Sequence, residues 1–282
     1  MTNKIRVAVI GAGYWGRNLI RNFDALGVLA AICENKRETL EEFAGLYPRV
    51  ETVHSFQSLL ENPSIDAIAI ASPAEMHYEM VKEGLLAGKH VFVEKPLALR
   101  EKEGVEVHEM AVSGGKVLMV GHLLQYHPAV IKLKQLISDG ELGRIQYIYS
   151  NRLNLGKIRT EENILWSFAP HDISVILSLT GEMPDRAISV GANYLHREVA
   201  DVTLSTLSFP SGIKAHIFVS WLHPYKEQRL VVVGDRKMLL STTNGPWFTS
   251  TKRSSRALSW KRFRVTRVPC AIQSSHSPRQ VR

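Results

Sequence analysis

A lysine that follows a short apolar run is the residue of this sequence best suited to proton transfer. The run is Val91–Val93, and Glu94, Lys95 and Pro96 come directly after it. Three β-formers in a row are typical of a strand buried on both faces of a parallel sheet. Ligands of open α/β sheets bind at the carboxyl ends of the strands, where we expect this lysine. The alternative is a solvated turn in which the proline only ends the strand.

A glycine pattern near the start of the chain predicts a dinucleotide site. Gly11, Gly13 and Gly16 form a G-x-G-x-x-G sequence between an apolar run and a helical stretch. The first glycine permits a tight turn, the second lets the backbone approach a pyrophosphate, and the third lets helix and strand pack closely. The helix N-terminus then offers N–H donors to phosphate. We expect these glycines, with Tyr14 and Trp15 between them, to contact the cofactor.

An acid at the end of the second predicted strand favours NAD over NADP. Glu34 lies 23 residues after Gly11, where a carboxylate accepts hydrogen bonds from ribose hydroxyls and repels a 2′-phosphate. Lys36 and Arg37 follow closely and act against that preference. The alternative for Glu34 is an ordinary surface acid.

Other polar residues follow later strands of the same predicted sheet. Ser72 and His77 come after the third all-apolar strand, and Gln125 follows the last strand of the first domain. With Glu94 and Lys95, these residues are our further candidates for contact with the cofactor. For His77 the alternative is an exposed position in the first turn of a helix. His122 and His127 have no nearby cysteine or acid, so we predict no metal site.

The second half of the chain contains one helical stretch with a function-like pattern. His171 and Asp172 follow Pro170 inside a predicted helix over residues 162–179. A proline inside a helix costs about 3 kcal/mol, which indicates a kink beside the histidine. The alternative is a helix that begins at the proline, with both polar residues in its first turn.

Three cations precede that helix. Arg152, Lys157 and Arg159 lie on a predicted strand and on the loop after it. Such a cluster suits a substrate with phosphate or carboxylate groups, although solvated surface is the alternative for each residue. With Asn163, Trp166 and His171 they make up the predicted substrate-binding set.

The elements that must position these residues predict two folded domains. Strands and helices alternate up to about residue 120, which indicates a doubly wound parallel sheet over residues 1–122. Long strands joined by tight turns follow, so we predict an α+β domain with a mostly antiparallel sheet over residues 123–240. Residues 241–282 form a basic tail with nine Lys or Arg and no acid.

Composition excludes several classes of protein. The net charge is +8, and subtracting the nine tail cations leaves −1 for residues 1–240, so we predict no nucleic-acid partner. No apolar run approaches the ~20 residues of a membrane span, and no secretory signal precedes the first strand. Two distant cysteines fit a reducing cytoplasm.

Four motifs together resemble the glucose–fructose oxidoreductase/inositol dehydrogenase/MocA family. They are GAGYWG, SPAEMH, VFVEKP and the PHDI helix, in that order. The resemblance implies a Rossmann domain that binds NAD, followed by an α+β domain whose large open sheet forms the interface of a dimer or tetramer. It gives the catalytic role to Lys95 and makes His171 its partner, with Glu94 orienting the lysine or contacting the cofactor.

Two longer stretches resemble a subgroup of that family, the nucleotide-sugar 3-dehydrogenases of bacterial surface-polysaccharide synthesis. These stretches are GHLLQYHPAV and ILWSFAPHDISVILSLTG. The likeness implies oxidation of a UDP-N-acetylhexosaminuronic acid at C3, with NAD taking the hydride. Two alternatives remain open: the same chemistry on another sugar or polyol such as an inositol, and a non-catalytic NAD(H)-binding protein.

The chain departs from the family at three places, one of which is Gln125, where many members have arginine. Ser167 stands where many members have an aspartate four residues before the histidine. The basic tail also lacks the periodicity of the further strands and closing helix that members have. We therefore expect a truncated or replaced C-terminus that does not continue the sheet.

Overall fold

The computed structural model describes residues 4–155, 158, 162–242, 249–253 and 260–264. The chain divides into two compact units, Met1–His122 and Leu123–Arg282, here called unit 1 and unit 2. Each unit has its own sheet and its own buried core. The elements of each are given separately below.

Unit 1 is built on a parallel sheet of six strands. The strands are β1 (Val7–Ile10), β2 (Leu29–Cys33), β3 (Glu51–Val53), β4 (Ala67–Ile70), β5 (His90–Val93) and β6 (Leu118–Val120). The helices are α1 (Gly16–Ala25), α2 (Arg37–Leu46), α3 (Phe56–Glu61), α4 (His77–Leu86) and α5 (Glu101–Ser113). The spatial order is β3-β2-β1-β4-β5-β6. The order reverses between β1 and β4, which places a ligand crevice at the carboxyl ends of these strands.

The central strands of unit 1 are apolar because helices cover both faces of the sheet. All four residues of β1 and all four of β4 are buried. One core contains Ile68 and Val91 with α4, and the other contains Val9 and Ile20 with α1. Such burial on both sides explains why these strands appear in the sequence as unbroken apolar runs.

Unit 2 is built on a mixed sheet of eight strands. The strands are β7 (Ile145–Leu155), β8 (Arg186–Ala192), β9 (Val202–Ser208), β10 (Lys214–Ser220), β11 (Leu222–Gly234), β12 (Lys237–Thr242), β13 (Thr249–Arg253) and β14 (Trp260–Arg264). The helices are α6 (Pro128–Ser138) and α7 (Ile164–Thr180). The spatial order is β14-β13-β12-β11-β7-β10-β9-β8. The six strands that come first along the chain, β7 to β12, end at Thr242. β7 and β10 pair in parallel, and the other neighbours pair antiparallel.

The two faces of the unit 2 sheet differ. Helix α7 packs on one face, against Ala215, Ile217 and Val219 of β10. The other face carries Ile188, Val190 and Leu204, which are 49%, 62% and 43% exposed. We call this second face, with Tyr149 and Phe218 in the same cross-strand rows, the open sheet face.

The predicted fold class is confirmed, with differences in detail. Sequence patterns did not indicate β3 and α3, because β3 has only three residues and lies at the sheet edge. The parallel pairing of β7 with β10 was also not predicted, since local turns identify neighbouring hairpins but not strands that pair across a long connection.

The tail differs from prediction at ten described residues. β13 and β14 continue the sheet beyond β12, whereas the composition predicted no further strands. An unpaired strand edge offers backbone donors and acceptors to any following segment, and the threonines and aromatics here favour extended structure. The other residues after Thr242 lie outside those described, so the predicted replacement of the C-terminus stays a prediction.

Two searches of the described residues gave negative results. None of their helices is long and apolar enough to cross a membrane. Within the same residues, no three His, Cys, Asp or Glu side chains gather as a group that could hold a metal ion.

Candidate functional site in two units

The glycine loop after β1 leaves no room for side chains at two of its glycines. A Cβ on Gly16 would lie 1.7 Å from the Gly11 carbonyl oxygen, and one on Gly11 would lie 2.8 Å from the Ala71 carbonyl oxygen. Gly11 also has a φ of +88°, a conformation that favours glycine. A Cβ on Gly13, by contrast, would meet no protein atom within 4 Å. The chain itself therefore does not require glycine at position 13.

Helix α1 starts directly behind this loop, and the N–H groups of Arg17 and Asn18 donate to the Gly13 and Trp15 carbonyl oxygens over 3.0 and 2.9 Å. Trp15 at the N-cap makes no side-chain cap, and the first turn contains no acid. Tyr14 and Trp15 are 83% and 48% exposed, with their rings edge to face. A helix N-terminus without a side-chain cap or an acid has a partial positive charge, so it suits the pyrophosphate of a dinucleotide.

Glu34 joins the end of β2 to the glycine loop. One carboxylate oxygen accepts a 2.8 Å hydrogen bond from the Ala12 N–H, and the other accepts a 3.0 Å bond from the Lys36 N–H. The acid is half-buried rather than an ordinary surface residue. It thus places a negative charge beside the loop, where the ribose of a bound dinucleotide is expected.

Glu94, which follows β5, is a buried carboxyl at the same edge of the sheet. It is 8% exposed, and its Oε1 has no hydrogen-bond partner in the described part of the chain. Burial raises the pKa of this carboxyl, while the Lys95 N–H and the charges of Lys95 and His77 act in the opposite direction. A Cβ on Gly121 would lie 2.9 Å from Oε2, so the glycine after β6 makes room for this side chain.

Lys95 lies between Glu94 and Pro96, half-buried, and its peptide bond to the proline is cis. His122, just after β6, has a pKa lowered by burial and by the charge of Lys95. Its Nδ1 is enclosed and has no hydrogen-bond partner among the described residues, and the same holds for Ser72 Oγ. Three strand ends thus present unsatisfied polar atoms at the carboxyl edge.

The residues of unit 1 fit a nicotinamide dinucleotide. Gly13 opens onto space rather than onto protein, and the buried atoms Ser72 Oγ, Glu94 Oε1 and His122 Nδ1 lack partners that a ligand would supply. When bound there, the cofactor would be held by the glycine loop, the N-terminus of α1 and Glu34. The three buried atoms without partners in the described chain are independent of the glycine motif that first indicated the site.

In unit 2, helix α7 carries the predicted His-Asp pair. The helix begins after Asn163, whose Oδ1 accepts a 3.1 Å hydrogen bond from the Trp166 N–H as an N-cap. Pro170 lies inside the continuous helix, so the alternative of a helix start at the proline is wrong. His171 is half-buried, and Trp166 is 43% exposed.

Asp172 pairs with Arg152 beneath this helix. The Nε and Nη2 atoms of Arg152 donate to the two carboxylate oxygens over 2.6 and 3.2 Å, and Ser150 Oγ donates over 2.5 Å. The side chains of the ion pair are only 13% and 8% exposed. This bidentate pair fixes α7 to β7, so much of the guanidinium predicted to bind substrate is already engaged within the protein.

Gln125 is also engaged within unit 2. Its amide nitrogen donates to Ser174 Oγ over 2.5 Å, and its oxygen accepts from Lys134 Nζ over 2.7 Å. The predicted contact between this residue and the cofactor thus competes with two existing hydrogen bonds. Lys157 and Arg159 lie outside the described residues.

Comparison with known protein families gives two matches along the chain. A model described as an oxidoreductase family with an NAD-binding Rossmann fold, GFO/IDH/MocA, matches residues 5–122, and the GFO/IDH/MocA C-terminal domain matches residues 130–240. The chain belongs to the Gfo/Idh/MocA oxidoreductase family. Unit 1 is accordingly an NAD(P)-binding domain, and the protein is an NAD(P)-binding oxidoreductase. The second match ends at residue 240, where the composition changes.

Several members of the Gfo/Idh/MocA family are similar to this chain at low identity. The uncharacterized oxidoreductase YrbE of Bacillus subtilis is 27% identical over 87% of this chain and 76% of its own length. The UDP-N-acetylglucosamine 3-dehydrogenase of Acidithiobacillus ferrooxidans is 28% identical over 77% and 67%. Across four curated relatives the matched part spans 60% to 76% of the relative's length.

Two of the solved structures similar to this chain contain ligands. One is the WlbA dehydrogenase from Bordetella pertussis in complex with NADH and UDP-GlcNAcA, with a TM-score of 0.77 and 22% identity. The match covers 85% of this chain and 79% of that one. At this identity the likeness supports the shared fold.

Two features of this family member were missed by sequence reasoning. His122 was noted only as lying in the crevice, but the structure places it beside Lys95. Its signal was its position directly after a strand of the parallel sheet. His77 was expected near the cofactor or exposed, and it is only 2% exposed, bonded to backbone oxygens. No local pattern distinguishes a buried first-turn histidine from an exposed one.

Proposed function

We propose that this protein is an NAD-dependent dehydrogenase that oxidises the C3 hydroxyl of a UDP-N-acetylhexosaminuronic acid in the synthesis of bacterial surface-polysaccharide sugars. The observation that carries the chemistry is the position of Lys95 at the carboxyl edge, between buried Glu94 and half-buried His122. A lysine at such a ligand edge is placed to exchange a proton with a substrate hydroxyl.

The proposed reaction divides the work between cofactor and side chains. NAD, when bound, accepts the hydride from the carbon that bears the hydroxyl. Lys95 or His171 accepts the hydroxyl proton, and a lysine must be neutral to do so. Glu94 orients Lys95 or contacts the cofactor. Because the pKa of His122 is lowered, this ring is neutral at neutral pH and available for hydrogen bonding.

The preference for NAD over NADP rests on Glu34 and on the pairing of nearby cations. Glu34 presents a carboxylate beside the glycine loop. Arg37 already pairs with Glu41 over 2.8 Å, and Arg17 pairs with Glu42 over 2.7 Å. Both guanidiniums thus have carboxylate partners, which reduces their capacity to bind a 2′-phosphate. Wild-type protein should bind NADH more tightly than NADPH in a fluorescence titration, and the reverse order would contradict this assignment.

The substrate class rests on the motifs and on the relatives. One relative is named as a UDP-N-acetylglucosamine 3-dehydrogenase, and one structural neighbour was crystallised with UDP-GlcNAcA. Both ligands are nucleotide sugars. We propose that the substrate contacts come from the following set: Arg152, Lys157, Arg159, Asn163, Trp166 and His171. The two cations of the loop after β7 would carry most of the attraction for diphosphate and uronate, since Arg152 is paired with Asp172.

A second candidate is a dehydrogenase of an uncharged sugar or polyol such as an inositol. The observation that favours it is the same Arg152–Asp172 pair, which cancels one of the three predicted substrate cations. A substrate panel separates the candidates, with NADH formation measured on UDP-GlcNAcA, UDP-GlcNAc, free glucuronate and myo-inositol. Turnover restricted to UDP-GlcNAcA supports the first proposal, and turnover only on the polyol supports the second. Bound NADH without turnover on any substrate would identify the non-catalytic alternative.

We further propose that the protein is a cytoplasmic homo-oligomer, a dimer or tetramer, formed through the open sheet face. Exposed Ile188, Val190 and Leu204 provide apolar area on neighbouring strands. An apolar surface of this kind is typical of protein interfaces.

A further inference from the structure

His77 has no role in the proposed chemistry, yet it is one of the most buried polar residues of unit 1. It begins helix α4 and is 2% exposed. A buried imidazole must have hydrogen-bond partners, or its burial is costly. Its partners therefore indicate what the residue does.

Both ring nitrogens of His77 lie against backbone carbonyl oxygens. Nδ1 is 2.6 Å from the Pro96 oxygen, and Nε2 is 2.9 Å from the Ser72 oxygen. Ser72 belongs to the loop after β4, and Pro96 to the turn after β5. These strands are neighbours, with Ile70 opposite Val93. The imidazole thus bridges two adjacent loops of the carboxyl edge.

The two acceptors restrict the protonation state of the ring. A carbonyl oxygen only accepts hydrogen bonds, and a neutral imidazole carries a single N–H. The neutral ring would therefore place one lone pair against a carbonyl oxygen at hydrogen-bond distance, whereas the imidazolium donates to both. The charge of His77 acts on the carboxyl of Glu94, and the charge of Lys95 acts on the same carboxyl.

We propose that His77 is a positioning residue, held as the imidazolium, that clamps the Lys95–Pro96 turn to the loop after β4. The clamp fixes the carbonyl of Pro96, the residue that directly follows Lys95, and so sets the direction in which the lysine side chain leaves the backbone. Its positive charge also lies close enough to interact with the buried carboxyl of Glu94. The catalytic consequence rests on the proposed function of Lys95, whereas the clamp itself does not.

The protonation state is tested on the full-length wild-type chain by NMR of ¹⁵N-labelled histidine at neutral pH. The expected result is one histidine with both ring nitrogens protonated, whose signals disappear in His77→Gln. A ring with one protonated and one bare nitrogen, assigned to His77, would overturn the proposal. Because the wild-type spectrum decides this point, it holds even if a variant fails to fold or the protein proves to have no dehydrogenase activity.

The positioning role is tested by comparing turnover with cofactor affinity in His77→Gln and His77→Phe. The expected result is a kcat lowered about 10- to 100-fold, because a misplaced catalytic group costs that much, with the Kd for NADH changed by less than about 3-fold. His108→Gln, at an exposed histidine of α5, is the matched control and should retain wild-type kcat. A wild-type kcat in His77→Phe, or an equal loss of NADH affinity, would exclude a role through Lys95.

Discussion

At the scale of single residues, the carboxyl edge of unit 1 concentrates groups that are costly to bury. Glu94 and His122 are both enclosed, each with one polar atom that lacks a hydrogen-bond partner in the described chain. Their pKa values shift in opposite directions, up for the acid and down for the base, because burial disfavours the charged form of each. Perturbed groups that cluster around a lysine are typical of a site of proton transfer.

The raised pKa of Glu94 predicts a pH dependence of stability. A carboxyl whose pKa is higher in the folded than in the unfolded state contributes stability below its unfolded pKa of about 4.3 and loses it as pH rises through the folded pKa. Glu94→Gln should therefore gain stability relative to wild type as pH rises above that range, measured by urea unfolding at a series of pH values. Glu79→Gln, at an exposed acid of α4, should run parallel to wild type. Parallel curves for both variants would contradict the burial argument.

Lys95→Ala should abolish turnover and leave the cofactor bound. Removal of a general acid–base group lowers kcat by about 10²- to 10⁴-fold, whereas the glycine loop and Glu34, which we propose to bind NAD, are untouched. Steady-state kinetics and a fluorescence titration with NADH measure the two effects. Lys102→Ala, at an exposed lysine of α5, is the control and should behave as wild type. Turnover retained in Lys95→Ala would contradict the proposed catalytic role of this lysine.

At the scale of elements, the candidate residues of each unit depend on how one helix joins its sheet. Helix α1 approaches β1 so closely that Gly16 touches the Gly11 carbonyl, which brings the helix N-terminus to the loop. Helix α7 is anchored by a buried ion pair, Arg152–Asp172, with Ser150 as a further donor. One junction depends on a missing side chain, and the other depends on a pair of charges.

The glycine loop predicts a loss of stability on substitution of one glycine and a loss of cofactor affinity on substitution of another. Gly16→Ala should destabilise unit 1 by about 1–3 kcal/mol, since its Cβ would overlap the Gly11 oxygen. Gly13→Ala should fold normally, because no protein atom lies within 4 Å, but lose NADH affinity. Urea unfolding and NADH titration of both variants measure the contrast. Normal NADH binding by Gly13→Ala would place the cofactor elsewhere.

The buried ion pair predicts that the two partners are coupled. Asp172→Ala should destabilise unit 2 by about 3–5 kcal/mol, because it leaves the Arg152 guanidinium buried without its partner. The double variant Arg152→Met/Asp172→Leu should recover most of that loss. Unfolding followed by tryptophan fluorescence reports this unit through buried Trp221. As the control, Glu41→Ala breaks the exposed pair with Arg37 and should have little effect on stability. Additive losses of stability in the Arg152→Met/Asp172→Leu double variant would contradict the coupling.

At the scale of the whole molecule, the open sheet face is a feature that the proposed chemistry does not use. Val190 pairs with Leu204 across β8 and β9, and both are exposed apolar residues. In the next row, His216 stacks on Tyr149 with ring centroids 5.2 Å apart and bonds Tyr147. Aromatic and branched apolar residues side by side favour association with another protein surface.

Leu204→Glu should lower the oligomeric state. A charge at the centre of an apolar interface would be buried without a partner on association, so the assembled form loses affinity. Size-exclusion chromatography with light scattering measures the mass of wild type and variant. Ile131→Glu, at an equally exposed apolar residue of helix α6, is the matched control and should keep the wild-type mass. An unchanged mass in Leu204→Glu would exclude this face as the interface.

The sequence anticipated unit 1 more fully than unit 2 for a physical reason. Buried parallel strands are unbroken apolar runs with a helix after each, so β1, β4, β5 and the residues at their carboxyl ends follow from local pattern. In unit 2 the parallel pairing of β7 with β10 depends on contacts between segments 69 residues apart, such as Tyr147 and His216, which no local pattern contains. The same limit applies to Arg152, whose pairing with Asp172 is a tertiary contact.

The sequence by itself determined the family, the glycine loop, the acid at the end of β2 and the lysine after β5, because each depends on residue type and spacing along one strand–loop–helix unit. Tertiary structure alone decided which polar groups are buried and what they contact. It buried His77 between two backbone carbonyls, placed His122 beside Lys95 and paired Arg152 with Asp172. Burial and partner choice depend on segments that are distant in sequence, and they set the charge that each site residue presents.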